Sequence, residues 1–447
     1  MASLNNTSHN LEKLVPAAEK DPIYHITAPS IWQCLTTVCT VIISSGTSIL
    51  MARTLDPSSL GNYLFVQWLA AIVAATIGAD MSTIASQHIA DIQCRESPGM
   101  IAGIFYFLWH RQQRRILLYC LLYLLLGFTL SYVFHLYPFP QLLLAGLSTI
   151  PLLLSNVAGT TLRSLRRSDL LIMLHLFAVL LSLLLVIVAA QVKGKPIESF
   201  QLAFALSNTL TLILSIIIII HIVPLEKALQ PGIFLRERLQ QSLTHSRLFV
   251  ILDAIIWQRG ECLLLAYQCK PTEISFYMLC SIISNSTIGL APFLLANIVE
   301  PMRVSKNAHG LYPNPYDSFV KTTCHLVFLT VPLCLILSFF SPTLIFFCLG
   351  RDYLELIQPL RIMLIATGFG SIATASLTHL AAYPDQYSTQ VRSQFFIALL
   401  KIGLVILLST HWGITGAAIA STLAQILSAA HSIFFCRHIL LRHELRL

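Results

Sequence analysis

The sequence predicts an all-α polytopic membrane protein of about twelve transmembrane helices, arranged as two parallel six-helix halves. Three observations carry that prediction. Of the 447 residues, 56% are hydrophobic and only 11% are charged, whereas a soluble globule carries about 25% charged residues. The apolar residues gather into runs of spanning length, near 30–52, 61–83, 115–134, 140–162, 169–191, 199–223, 246–269, 273–298, 319–341, 357–380, 391–411 and 414–436. The basic residues are divided unevenly between alternate connections, as topology signals are.

The first 29 residues are polar and of mixed charge, with Glu12, Lys13, Glu19, Lys20 and Asp21. They lack the basic-then-apolar order of a cleaved signal, so 30–52 is expected to stay as the first helix. An apolar piece from Met100 to Trp109 precedes the third run, either as an interfacial helix or as an extension of that run. The connection 224–245 alternates Glu226, Lys227, Arg236, Glu237 and Arg238 with apolar residues. It reads as an amphipathic linker on the inner surface. It divides a first half, 30–223, from a second, 246–436, and a basic tail, 437–447, closes the chain.

With the N-terminus placed in the cytoplasm, twenty Lys and Arg fall on inner connections and tails. Five fall outside, at Arg53, Lys193, Lys195, Lys270 and Arg351. That asymmetry predicts an even number of passes, with both termini on the cytoplasmic side of the cytoplasmic membrane. The halves carry a faint repeat. RTLDPSSLGNYLF (Arg53 to Phe65) and YQCKPTEISFYML (Tyr267 to Leu279) align Pro57 with Pro271 and Tyr63 with Tyr277, 214 residues apart. The same offset lays the tenth run on the fourth and the twelfth on the sixth. An offset of six helices keeps both halves in one orientation, which suits a transporter that rocks around a site between them.

Composition also sets exclusions. The net charge of +8 comes from short clusters between apolar runs, so no nucleic-acid partner is expected. Eleven cysteines are scattered without a CxxC or paired-His spacing, which indicates neither a disulfide framework nor a metal site. No GxxxxGK[ST] run is present, so direct ATP hydrolysis is not expected and no cofactor is implied. Energy would come from a gradient of H⁺ or Na⁺, from the membrane potential or from the substrate gradient. No outer connection is long, which argues against a membrane glycan polymerase or ligase.

Four pieces together carry a family resemblance. They are ARTLDPSSLGNYLFVQWLAAIVAATIGADMSTIASQHIA (Ala52 to Ala90), QRGECLLLAYQCKPTEISFYML (Gln258 to Leu279), LGRDYLELIQPLRIMLIA (Leu349 to Ala366) and GITGAAIASTLAQ (Gly413 to Gln425). In this order and spacing the chain resembles the Wzx-like polysaccharide flippases of the multidrug/oligosaccharidyl-lipid/polysaccharide exporter superfamily. It departs from them at Ile274-Ser275-Phe276, where a Val-Gly-x-Tyr step is more typical. The resemblance implies a V-shaped twelve-helix transporter. It would carry a polyprenyl-diphosphate-linked oligosaccharide from the inner to the outer leaflet by alternating access, for polysaccharide export. Membrane lipids and glycan polymerase or export machinery would be its partners. The rival on the same fold is a cation-coupled drug or metabolite exporter.

A lipid diphosphate calls for positive charge in a cavity closed to lipid, where Arg offers a bidentate fork. Lys401 stands about 15 Å into its helix, counting 1.5 Å per residue, near the midplane. It is read as a cavity cation or as the partner of an acidic group on a neighbouring helix. Arg259, Arg361 and Arg53 are the other candidate substrate-binding cations. Arg361 is also placed to snorkel, and Arg53 to close a helix end. Ionisable groups at membrane depth are functional candidates by default, so Asp253, Glu261 and Asp80 are the candidate ion-coupling carboxylates. Asp253, Trp257 and Glu261 recur every four residues and would share a face of a straight seventh helix. Arg259 would lie across from Glu261, so those two could not pair.

Overall fold

The computed structural model of the protein describes residues 28–78, 98–135, 137–165, 167–192, 196–223, 252, 256, 260–294, 315–380 and 387–444. The N-terminal tail up to residue 27 and the linker expected over 224–245 lie outside the described residues.

Helix α1 (Ala28–Thr54) is followed after two residues by α2 (Pro57–Gly78). Proline suits a first helical position, because the N–H it lacks would have no partner there. Asp56 caps the turn by accepting the Ser59 N–H at 3.1 Å, and hydrogen bonding to Ser59 holds the Asp56 carboxyl below its ordinary range. This cap starts α2 four residues ahead of the expected 61. Helix α8 (Pro271–Leu294) opens by a related construction: Pro271 stands first and Glu273 reaches back to the Lys270 N–H at 3.2 Å. The two helix starts are thus the two copies of the repeat.

Helix α3 (Pro98–Phe128) runs unbroken through the Met100–Trp109 piece and ends in a π-helical turn over Thr129–Val133. The piece is therefore an extension of the third segment. Its Ile101, Ile104, Phe105 and Leu108 are buried in one cluster with Val157, Leu162, Leu171 and Ile219. Those partners come from α4 (Phe139–Ser164), α5 (Ser168–Ala190) and α6 (Pro196–Ile222), which complete the first half.

The seventh segment differs from the straight helix expected. Gly260 and Glu261 form a turn, and a short helix, α7 (Cys262–Gln268), restarts behind them. Asp253 and Trp257, expected to share a face with Glu261, lie outside the described residues. Helix α9 (Pro315–Cys348) is longer than the expected 319–341 and runs on through Pro332 and Pro342. A 3₁₀ turn, Arg351–Leu356, leads into α10 (Ile357–Leu380). The last helical run, α11 (Tyr387–Glu444), reverses at Gly413, whose φ of 55° and ψ of −135° suit only glycine. Its two arms, 387–412 and 414–444, pack antiparallel, and Ser428 Oγ donates to Gln394 Oε1 at 2.9 Å. The reversal is tight enough that a Cβ on Gly416 would collide with the Leu408 carbonyl oxygen.

Among the described residues, eight helices are long and apolar enough to cross a membrane, and one of them, Val391–Leu441, has the 51 residues of two passes. Large side chains such as Phe328, Phe339, Phe347 and Phe434 point outward, as a lipid-facing surface requires. Inside, small residues let helices approach: Ala417, Ala418, Ala420 and Ala424 are fully buried on the second arm of α11.

The buried clusters show how the halves meet. The largest joins Met51, Ala52, Leu60, Tyr63 and Phe65 of the first half to Phe276, Tyr277, Ile345 and Tyr353 of the second. It lies toward the end of the bundle where α1 turns into α2, and α8 packs directly on α2 there. A second cluster belongs to the first half alone, and two more to the second half alone. Among the described residues, the cross-half core is therefore concentrated at one end, which we call the closed end.

Candidate functional site

The break at Gly260–Glu261 places a carboxylate inside the second half. Glu261 keeps 4% of its surface and Lys401 1%, and Lys401 Nζ lies 2.7 Å from Glu261 Oε2. Lys401 also donates to the Ile256 carbonyl at 2.8 Å, as does Gln425 Nε2 at 3.2 Å. The Tyr277 hydroxyl donates to Glu261 Oε1 in a short hydrogen bond. Four elements thus converge: the seventh segment, α8 and both arms of α11. A buried ion pair persists only where geometry and added hydrogen bonds offset desolvation, and Tyr277 and the Ile256 carbonyl supply those bonds.

In this conformation the Lys401 ammonium is not an open cavity cation. It is committed to Glu261 and the Ile256 carbonyl. Arg361 sits at the surface, where its Nε donates to the Ser338 carbonyl at 3.2 Å and lies 3.3 Å from Ser341 Oγ. Arg53 is also exposed. Its Nε donates to the Cys348 carbonyl at 2.8 Å and its Nη2 to the Phe347 carbonyl. The three described candidate cations do not form one patch: Arg53 is at the closed end, Arg361 on α10, and Lys401 inside. Arg259, the fourth, and the carboxylates Asp80 and Asp253 lie outside the described residues.

Tyr277 and Gln425 complete the network, yet sequence reasoning assigns neither of them a role. Tyr277 has one signal, its place in the repeat opposite Tyr63. The two tyrosines differ in chemistry. The Tyr63 hydroxyl is buried beside Phe200 and Phe204 without a hydrogen-bond partner, while Tyr277 holds the carboxylate. In the first half, neutral polar side chains link α2, α4 and α6. Gln67 Nε2 approaches Ser148 Oγ at 3.4 Å, and Asn208 Nδ2 donates to the Ser148 carbonyl at 2.8 Å. The Glu261–Lys401 pair lies in the second half. No group of three or more His, Cys, Asp or Glu among the described residues could hold a metal ion.

Comparison with solved structures places this architecture. The chain superposes on the lipid II flippase MurJ in an inward closed conformation with a TM-score of 0.67, at 17% identity, over 91% of this chain and 87% of that one. An inward-facing multidrug resistance MATE transporter of the MOP superfamily gives 0.64 at 14% identity, over 92% and 98%. The Vibrio cholerae MATE transporter VcmN in its bent form gives 0.56 at 12% identity, over 93% and 96%. No protein-family model matches the sequence, and no curated protein matches it as a relative. The fold is that of these MurJ and MATE structures, a nearly all-helical membrane architecture.

Proposed function

We propose that this chain is a flippase that moves a polyprenyl-diphosphate-linked oligosaccharide across the cytoplasmic membrane by alternating access. The observation that carries this reading is the buried Glu261–Lys401 pair at a helix break, within a two-half transporter fold. Broken helices near the midplane are where transporters of this kind place substrate and coupling-ion sites. An ammonium held by one carboxylate can exchange partners. An anionic diphosphate that reaches Lys401 competes with Glu261 for it, and Glu261 then needs a new counter-ion. A proton meets that need without a coordination shell, so H⁺ fits this site better than Na⁺. Asp253 and Asp80 remain further candidates for the coupling role. In this reading both termini lie in the cytoplasm, which the charge asymmetry supports, and glycan polymerase and export machinery would be partners.

The test is transport of a fluorescent polyprenyl-diphosphate oligosaccharide in proteoliposomes, comparing wild type with Lys401→Ala and Arg259→Ala. Flipping by wild type that is lost in either variant supports a cation that grips the diphosphate. Flipping indifferent to collapse of all ion gradients and of the potential removes the coupling role of the carboxylates. One observation favours a second reading, a cation-coupled drug or metabolite exporter: Glu261 already neutralises Lys401, which suits a site without net positive charge. Movement of cationic dyes by a well-folded protein that does not flip the lipid decides for that reading. New glycosidic bonds made by the purified protein would revive a polymerase or ligase.

A further inference from the structure

We infer that Arg53 and Tyr353 form a reciprocal latch that holds the closed end shut, and that releasing it is a required step of opening there. Each residue reaches from its own half to the backbone of the other. Arg53, at the end of α1, donates to the carbonyls of Phe347 and Cys348, the last two residues of α9. Tyr353, in the 3₁₀ turn after α9, donates through its hydroxyl to the Ala52 carbonyl at 3.0 Å. Two straps running in opposite directions thus converge on one dipeptide, Ala52–Arg53.

The chemistry suits a reversible contact. The last carbonyls of a helix have no partner within it, and the negative end of its dipole attracts a cation. Arg53 meets both needs of α9 only while the halves touch. On separation those carbonyls and the exposed guanidinium return to water, so release strands no charge in lipid. The surface beside the latch is equally suited to parting and rejoining. A Cβ on Gly61 would collide with the Pro271 carbonyl oxygen and stand 3.2 Å from the Ser275 nitrogen. Helices α2 and α8 therefore meet backbone to backbone, with no side chain between them at that point. Phe276 packs edge-on against Tyr353, with ring centroids 5.8 Å apart. The next residue of α8 is Tyr277, which holds Glu261, so the latch is contiguous with the buried ion-pair network.

Hydrogen exchange of the purified full-length protein tests this inference without reference to the substrate. Arg53→Ala and Tyr353→Phe are each compared with wild type. Both variants are expected to accelerate exchange by about tenfold in peptides covering 50–65, 271–280 and 345–356, the change due to one or two lost hydrogen bonds. Peptides covering 101–108 and 157–162, in the cluster confined to the first half, should keep wild-type rates. Gly61→Leu provides an independent wedge. It should give the same local pattern, and adding Arg53→Ala to it should give little further acceleration, because the latch is already parted. Unchanged exchange at the closed end in both latch variants overturns the inference. So does equal acceleration in all peptides, which marks general destabilisation.

Discussion

Glu261 and Lys401 are each unstable at this depth alone, and their energetics follow from that. Removing one partner of a buried pair leaves an uncompensated charge, at a typical cost of about 3–5 kcal/mol, whereas replacing both by apolar or neutral groups is often close to neutral. Glu261→Gln and Lys401→Met should each lower the thermal midpoint in detergent markedly. The double variant should recover most of the loss while remaining inactive in the proteoliposome assay. A double variant as unstable as the worse single one would show that the pair is not the dominant interaction. Tyr277→Phe should cost less, about 1–3 kcal/mol for the donor lost to a buried carboxylate oxygen, read in the same melt. The depth of Lys401 and the burial-prone Glu261 were legible in the sequence, because an isolated charge in an apolar run is conspicuous. Their pairing with each other was not, because spacing along one helix says nothing about which helices are neighbours. Arg53 shows the reverse case: its position at a helix end was legible, but the carbonyls it binds are about 295 residues away.

At the scale of the element, the repeat was legible because helix starts are written in local chemistry. Pro57 and Pro271 open α2 and α8, and Asp56 and Glu273 satisfy their first N–H groups. The break in the seventh segment was not legible. One glycine in an apolar run is compatible with an intact helix, and the partners of Glu261, Lys401 and Tyr277, lie on other helices. Gly413 falls between these cases. It lies at the expected gap between the last two segments, and the structure adds its backbone conformation, φ 55° and ψ −135°. A side chain there is strained by about 1–3 kcal/mol. Gly413→Ala should therefore lower the thermal midpoint, while Gly403→Ala, at an open position in the first arm of the same hairpin, should not. Equal melting of the two variants would show that the hairpin absorbs the strain by shifting the reversal along the chain.

For the whole molecule, the parity of the passes is the quantity that matters, because it decides whether the two halves share an orientation. If each of the helices α1 to α6 between Ala28 and Ile222 crosses once, residue 223 returns to the face where α1 began. In the second half the two arms of α11 have the length of two crossings. On the expected twelve passes, the latch lies on the face opposite both termini. Reporter fusions at the N-terminus, near residue 230 and at the C-terminus should therefore all report one side of the membrane, and a reporter inserted at 193–195 should report the other. The expectation from the excess of Lys and Arg on the first set of connections is that this side is the cytoplasm. A C-terminal reporter on the opposite side from the N-terminal one would mean that α11 crosses only once. The halves would then be unequal, and a rocking exchange about a shared midplane site would lose its structural basis.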